Sequence, residues 1–159
     1  MVEPQENDKL PVVRKLREWD AQAIAQVTQF RGEVTLVVSR EQLRRVAEYL
    51  ASEPSLQFSF LSDITTVDRF PIEPRFEVNY HLVSLDRHER LRLKVCLPGT
   101  DAVVPTLTSV WPTANWHERE NFDLFGIRFD GHPDLCRILL PDEWEGHPLR
   151  KDYPVEGYR

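Results

Sequence analysis

Between His117 and Pro154 the chain reads HERENFDLFGIRFDGHPDLCRILLPDEWEGHPLRKDYP, with acids beside bases and Gly-His-Pro twice. A metal site is the first chemistry to consider. His117-Glu118 begins like the zinc-protease helix His-Glu-x-x-His, whose histidines at i and i+4 hold the ion, but position 121 is Asn121. His81, His132 and His147 have no helical pairing that would replace the missing ligand. Hydrolysis by paired carboxylates is the second, with Glu118, Glu120, Asp123, Asp130, Asp134, Asp142, Glu143 and Glu145 available. Two such acids must face each other across a cleft with different environments. On a helix Glu118 and Glu120 point about 200° apart, whereas Arg119 and Asp123, at i and i+4, are placed to pair as a salt-bridged face. A nucleophile is the third, and no Ser or Cys stands in a Gly-rich elbow; Cys136 follows a leucine with no helix start behind it. Docking is the fourth. Trp111, Trp116, Trp144, Tyr153 and Tyr158 share the segment with Arg119, Arg128, Arg137 and Arg150. Aromatics and arginine forks are what interfaces between proteins favour.

These residues must be positioned by the elements around them. The polar start, residues 1–10, is expected to be disordered. Residues 11–22 form a short helix, and 23–29 and 33–39 a β-hairpin turning at Gly32. Ser39 is a good N-cap for REQLRRVAEYLAS, where Leu43, Val46, Ala47 and Leu50 fall at helical spacing and Pro54 signals the stop. FSFLSDITTVD (58–68) is a strand by its β-branched and aromatic content. After the proline loop 69–74, FEVNYHLVSLD alternates Phe76, Val78, Tyr80 and Leu82 against Glu77, Asn79 and His81. With RLRLKVCLP (90–98) it makes an antiparallel hairpin. A further short helix is expected over 101–111.

NWHERENFDLFG carries its own punctuation: Asn115 as N-cap with Glu118 at capping-box spacing, and Gly126 at the C-terminal stop. Trp116, Phe122 and Phe125 would share its inner face. Beyond Gly126 regular periodicity fades and prolines recur at 133, 141, 148 and 154, excluding a long helix or a central strand. The expectation is one α+β domain, an antiparallel or mixed sheet with helices on one face, over 11–130. An extended proline-rich arm follows over 131–159. The arm either lies along another protein or wraps back over its own domain, and both can hold.

The length of 159 residues suits one domain with a substantial core. The net charge of -6 leaves no excess of Lys and Arg to neutralise phosphates, which argues against general nucleic-acid binding. No apolar run approaches the roughly 20 residues of a spanning helix, and MVEPQENDKL does not read as a secretory signal. A place in the cytosol, or on the cytosolic side of a membrane complex, is therefore expected. Cys96 and Cys136 lie far apart and supply neither an iron–sulfur cluster nor a structural zinc site; two buried, inert thiols are expected. There is no Gly-x-Gly-x-x-Gly and no Walker loop to hold a nucleotide.

Trp116-His117-Glu118-Arg119-Glu120, Phe122-Asp123-Leu124-Phe125-Gly126-Ile127, Phe129, Gly131-His132-Pro133 and Pro148-Leu149-Arg150-Lys151-Asp152-Tyr153-Pro154 together resemble the signature of one family. It is the C-type, 30 kDa subunit of respiratory complex I, the proton-translocating NADH:quinone oxidoreductase. LSDITTVDRF and FEVNYHLVSL are also similar to that family's strands. The sequence departs from the pattern at Cys136, Phe122 and His147. The resemblance implies a structural subunit of the peripheral arm without a catalytic site, on the cytoplasmic side of the plasma membrane. It implies no cofactor on this chain, with FMN, iron–sulfur clusters, NADH and quinone in partner subunits. The partners are chiefly the quinone-site subunit and its cluster-bearing neighbours. Homologous subunits of ferredoxin- or F420-linked complexes and of membrane-bound hydrogenases are the related alternative. Subunit contacts are assigned to Glu118, Arg119, Glu120, Asp123, Gly126, His132, Pro133, Arg137, Pro148, Arg150, Lys151, Asp152, Tyr153 and Pro154.

Overall fold

The structure is a computed structural model that describes residues 10–157. The disorder expected over 1–10 lies outside the described residues except for Leu10, and so does Tyr158. Helix α1 (Pro11–Trp19) opens on a proline at its first turn, where the missing N–H removes no intrahelical bond. Strands β1 (Gln26–Phe30) and β2 (Glu33–Val37) form the expected hairpin. Its two central residues, Arg31 and Gly32, both have positive φ, as a type I′ turn requires. Helix α2 (Arg40–Ser52) is capped by the Ser39 hydroxyl, which accepts from the Gln42 N–H.

Strands β3 (Phe60–Asp68), β4 (Phe76–Ser84) and β5 (Glu89–Leu97) complete a five-stranded sheet in the order β1-β2-β5-β4-β3. Only the β2–β5 pairing is parallel. Period-2 alternation turns Phe76, Val78, Tyr80 and Leu82 of β4, with Leu91, Leu93, Val95 and Leu97 of β5, to one face. That face shares one buried cluster with Leu16 of α1 and with Leu43, Val46 and Leu50 of α2. Each such fully buried side chain is worth about 1.5–3 kcal/mol of apolar transfer. The α+β class, the mixed sheet and the placement of the helices agree with the sequence reading.

Several expectations are corrected. Residues 101–111 hold no helix: β6 (Val103–Pro105) pairs in parallel with β7 (Arg128–Asp130), a two-stranded sheet. The β-branched Val103-Val104 pair finds its partner beyond α3, a non-local contact no local pattern reports. Helix α3 runs from Ala114 to Phe125 with Thr113 as N-cap, so Asn115 is not the cap. Glu118 points inward and closes no capping box. Trp116 is 63% exposed and so off the inner face expected for it, whereas Phe122 and Phe125 are half-buried and pack against the core; the fully buried residues of α3 are Ala114, Glu118, Asn121 and Asp123. The Cys96 side chain is exposed and Cys136 half-buried, both as free thiols. Because Val95 and Leu97 point in, the pleat sends Cys96 out.

From Gly131 to Gly157 the described residues form turns and extended chain with neither helix nor strand. The buried hydrophobic cluster ends at Phe129, and Leu135 is the one apolar side chain past it that packs against the core among the described residues. The arm is therefore ordered by something other than apolar burial.

Candidate functional site

Helix α3 lies along β3, the sheet's edge strand, with Pro112 before it and Gly126 after it. Its polar inner face makes three connections. Glu118 has no exposed surface; its carboxyl accepts from the Leu107 N–H at 2.7 Å and the Thr106 hydroxyl at 2.5 Å. Burial pushes this carboxyl up to about 7, against the lowering effect of those two donors. The His132 imidazole, also without exposed side-chain surface, has Nε2 3.9 Å from Glu118. The Asp134 N–H donates to His132 Nδ1 at 3.0 Å, which puts the ring proton on Nε2, facing the Asn115 carbonyl. Burial pushes the imidazole down, so it stays neutral. Asn121 donates to the Ile64 carbonyl at 2.7 Å and accepts from the Thr66 hydroxyl at 2.6 Å. It satisfies groups on an edge that would otherwise invite another strand.

Asp123 is the third connection. Its buried carboxylate takes the Arg137 Nη1 at 2.6 Å and the N–H groups of Ile138, Leu139 and Leu140 at 3.1, 2.8 and 2.9 Å. Burial alone would raise its pKa; these four donors outweigh it and hold the carboxyl below the usual range. The pairing Arg119–Asp123 expected from i, i+4 spacing does not form. Arg119 instead donates to the carbonyls of Cys136 and Arg137 and lies 5.3 Å over the Trp116 ring.

The last carbonyls of a helix have no intrahelical partner, and in α3 the arm supplies them. The Asp123 carbonyl accepts from His147 Nδ1 at 2.9 Å and Arg137 at 3.2 Å. The Leu124 carbonyl accepts from the Leu149 N–H at 3.1 Å, and the Phe125 carbonyl from Arg150 Nε at 2.6 Å. Arg137 and Arg150 thus place positive charge at the negative end of the helix dipole. Gly126 makes this approach possible: at φ 71 a Cβ would meet the His147 ring at 2.5 Å and Arg150 at 2.6 Å.

A fourth connection ties the arm to the sheet. Arg75 forks onto Asp68 at 2.8 and 2.9 Å and onto Asp152 at 2.6 and 2.9 Å, and its guanidinium lies 4.9 Å from the centres of the Phe70 and Phe76 rings. Asp68 also accepts from the Lys151 N–H at 2.9 Å. Burial would raise Asp68, but Arg75 and the N–H groups of Lys151 and Phe70 hold it at about 2.

Of the fourteen assigned residues, then, Glu118, Asp123, His132, Arg137, Arg150 and Asp152 spend side-chain polar atoms inside the chain, and Arg119 does so in part. Lys151 contributes its N–H while its side chain is exposed. Glu120, Pro133 and Pro154 are exposed, Pro148 and Gly126 half-buried, and the Tyr153 hydroxyl donates to the Glu145 carbonyl at 3.4 Å. Glu118 is sealed while Glu120 faces solvent, so the two do not form an acid pair across a cleft. Among the described residues no three His, Cys, Asp or Glu side chains converge as metal ligands. Sequence reasoning missed Asp68, Arg75, Asn121 and His147 as parts of this site. The signal for the first two was an acid and a base bracketing the proline loop.

The family model described as "Respiratory-chain NADH dehydrogenase, 30 Kd subunit" matches residues 36–159. The chain belongs to this family. It is 48% identical to the C-type subunit of NADH-quinone oxidoreductase from Roseiflexus sp. (strain RS-1), over 93% of this chain and 85% of that one. The corresponding NADH-quinone oxidoreductase subunit of Geobacter sulfurreducens is 49% identical over 91% of this chain and 89% of its own length. Among solved structures, the trypsin-resistant fragment (1-134) of Nqo5 superposes with a TM-score of 0.65 at 36% identity, covering 77% of this chain and 97% of the fragment. A chain of the membrane-bound sulfane sulfur reductase, an archaeal respiratory membrane complex, gives 0.77 at 25% identity, covering 91% and 84%.

Proposed function

We propose that this member of the 30 kDa-subunit family is a docking subunit of the peripheral arm of an NADH-quinone oxidoreductase, with no catalytic centre of its own. One observation carries the proposal: the arm is fixed by charge-assisted bonds to the end of α3 and to Arg75, while several of its large apolar side chains stay outside. Leu139 is 61%, Leu149 50% and Trp144 41% exposed. An ordered strap that leaves such groups in water fits a surface completed by a neighbour. The fourteen assigned residues then act in two ways. Glu118, Asp123, His132, Arg137, Arg150 and Asp152 shape the strap, with Gly126 and Pro148 at its bends. Arg119, Glu120, Pro133, Lys151, Tyr153 and Pro154 border the surface that meets the partners, chiefly the quinone-site subunit and its cluster-bearing neighbours. NADH, FMN, iron–sulfur clusters and quinone are held by those partner chains, and the complex holds this subunit at the cytoplasmic face of the membrane. Among the described residues no helix is long and apolar enough to cross a membrane, so attachment through partners is the route proposed.

The test is co-purification of the tagged chain from membranes solubilised in mild detergent. NADH-oxidising activity and iron–sulfur absorbance should elute with it, and the isolated chain should show no turnover. Elution alone would overturn the proposal. The likeness to the sulfane sulfur reductase chain favours a second reading, the homologous subunit of a related respiratory complex with another electron donor; the donor oxidised by the co-purified material decides between them.

A further inference from the structure

The arm also forms a cleft that none of these connections uses. Glu143, Trp144, Glu145, Tyr153 and Glu156, with Pro141 and Gly157, line an open space of about 610 Å³. Its backbone is fixed: Arg137 Nη2 donates to the Trp144 carbonyl at 2.9 Å and the Gly146 carbonyl at 3.2 Å, and the Tyr153 hydroxyl bonds across to Glu145. None of the described lining residues is basic. Among the described residues none of the three Glu side chains has a hydrogen bond or an ion pair, although ion pairs are common elsewhere in the chain. The tryptophans make the same point. Trp111 is buried with its N–H on the Phe58 carbonyl, Trp19 carries Arg45 at 5.2 Å, and Trp116 carries Arg119 at 5.3 Å. Trp144 carries no cation among the described residues and is 41% exposed.

We propose that this cleft receives the arginine side chain of a segment from a neighbouring protein of the complex. Three carboxylates without an ion-pair partner among the described residues set up a field that draws in positive charge. An indole face is the strongest aromatic site for a cation, and arginine uses it most often. A guanidinium is weakly hydrated and planar, so it can stack on Trp144 while its fork meets the glutamates. A hard metal ion would want converging oxygens and has no use for an aromatic wall. The inference rests on the docking reading and adds to it the chemistry of the partner.

The test uses the full chain and the peptide acetyl-Gly-Arg-Gly-Arg-Gly-amide, with its citrulline counterpart as the neutral isostere. The indole N–H resonance of Trp144, assigned through Trp144→Phe, is followed during titration, and the other three indoles report that the fold is intact. The arginine peptide should shift it saturably. Binding should weaken at least tenfold with citrulline and with the triple variant Glu143→Gln/Glu145→Gln/Glu156→Gln. Equal binding of both peptides, or no shift with either, overturns the proposal whatever the co-purification shows. Within the complex, p-benzoylphenylalanine in place of Asp142 should crosslink to an arginine-bearing segment of another chain. A crosslink to a segment without arginine, or only within this chain, overturns it as well. Co-purification of the wild-type chain stands or falls separately, so the two readings can fail independently.

Discussion

At the centre of α3 stands a carboxyl group with no exposed surface, and its titration is a stability statement. Glu118 is raised to about 7 in the fold from an unfolded value of about 4.3. A raised folded value means that the stability gained from the neutral acid is complete below the unfolded pKa and lost as pH rises through 7. At about 1.4 kcal/mol per unit, the loss is on the order of 4 kcal/mol. Glu118→Gln removes this dependence, so the wild type should lose stability relative to the variant as pH rises between about 4 and 8. Urea midpoints across that range measure it, and a constant difference would refute the assignment. The histidines do not mimic the effect. Burial lowers both His132 and His147, so their contribution is lost as pH falls, the opposite sense, and both variants share it. Gly126 makes a second prediction at this scale. Gly126→Ala meets both a positive φ and the His147 ring at 2.5 Å, and should cost more than about 1 kcal/mol. It should also open the arm to protease before the domain melts.

The C-terminal turn of α3 is the element on which the arm depends. Asp123→Ala removes the acceptor of Arg137 and of three successive N–H groups. Breaking a buried pair in this way should cost about 3 kcal/mol. Hydrogen exchange should show amides 138–140 losing protection while those of β4 and β5 keep theirs; uniform loss across the sheet would mean that the arm belongs to the core. The elements were unequally legible in the sequence. Those with an apolar period and a local punctuation mark, such as α2 after Ser39 or the hairpin at Gly32, read directly. Helix α3 was legible as a helix ending at Gly126, but its buried face carries Glu118 and Asn121 where apolar residues usually mark the inside. Aromatic content therefore placed Phe122 and Phe125 correctly against the core but Trp116 on the wrong face, and an inward carboxylate passed for a capping residue. Strand β6 was missed because its partner is β7, on the far side of α3. The arm's charges were recognised as anchors; that most of them hold the arm to its own domain depends on carbonyls at a helix end, which no residue pattern displays.

Across the whole molecule, an apolar core ending at Phe129 is joined to an arm held by polar contacts. Removing residues 141–159 takes away Asp152 from Arg75, and His147 and Arg150 from α3, but no member of the core cluster. The shortened chain should keep a cooperative thermal transition and its far-ultraviolet spectrum, yet fail to join the complex. Loss of the transition would show that the arm is required for folding. The bond between the Lys151 N–H and Asp68 spans 83 positions. A ribosome releases the acid well before its partner, so the sheet can be complete while the face proposed for docking does not yet exist. A copy halted or clipped within the arm would keep a sound domain and offer no attachment surface. A complex that selects its members by this face therefore discriminates against unfinished copies by geometry, with no separate step of inspection.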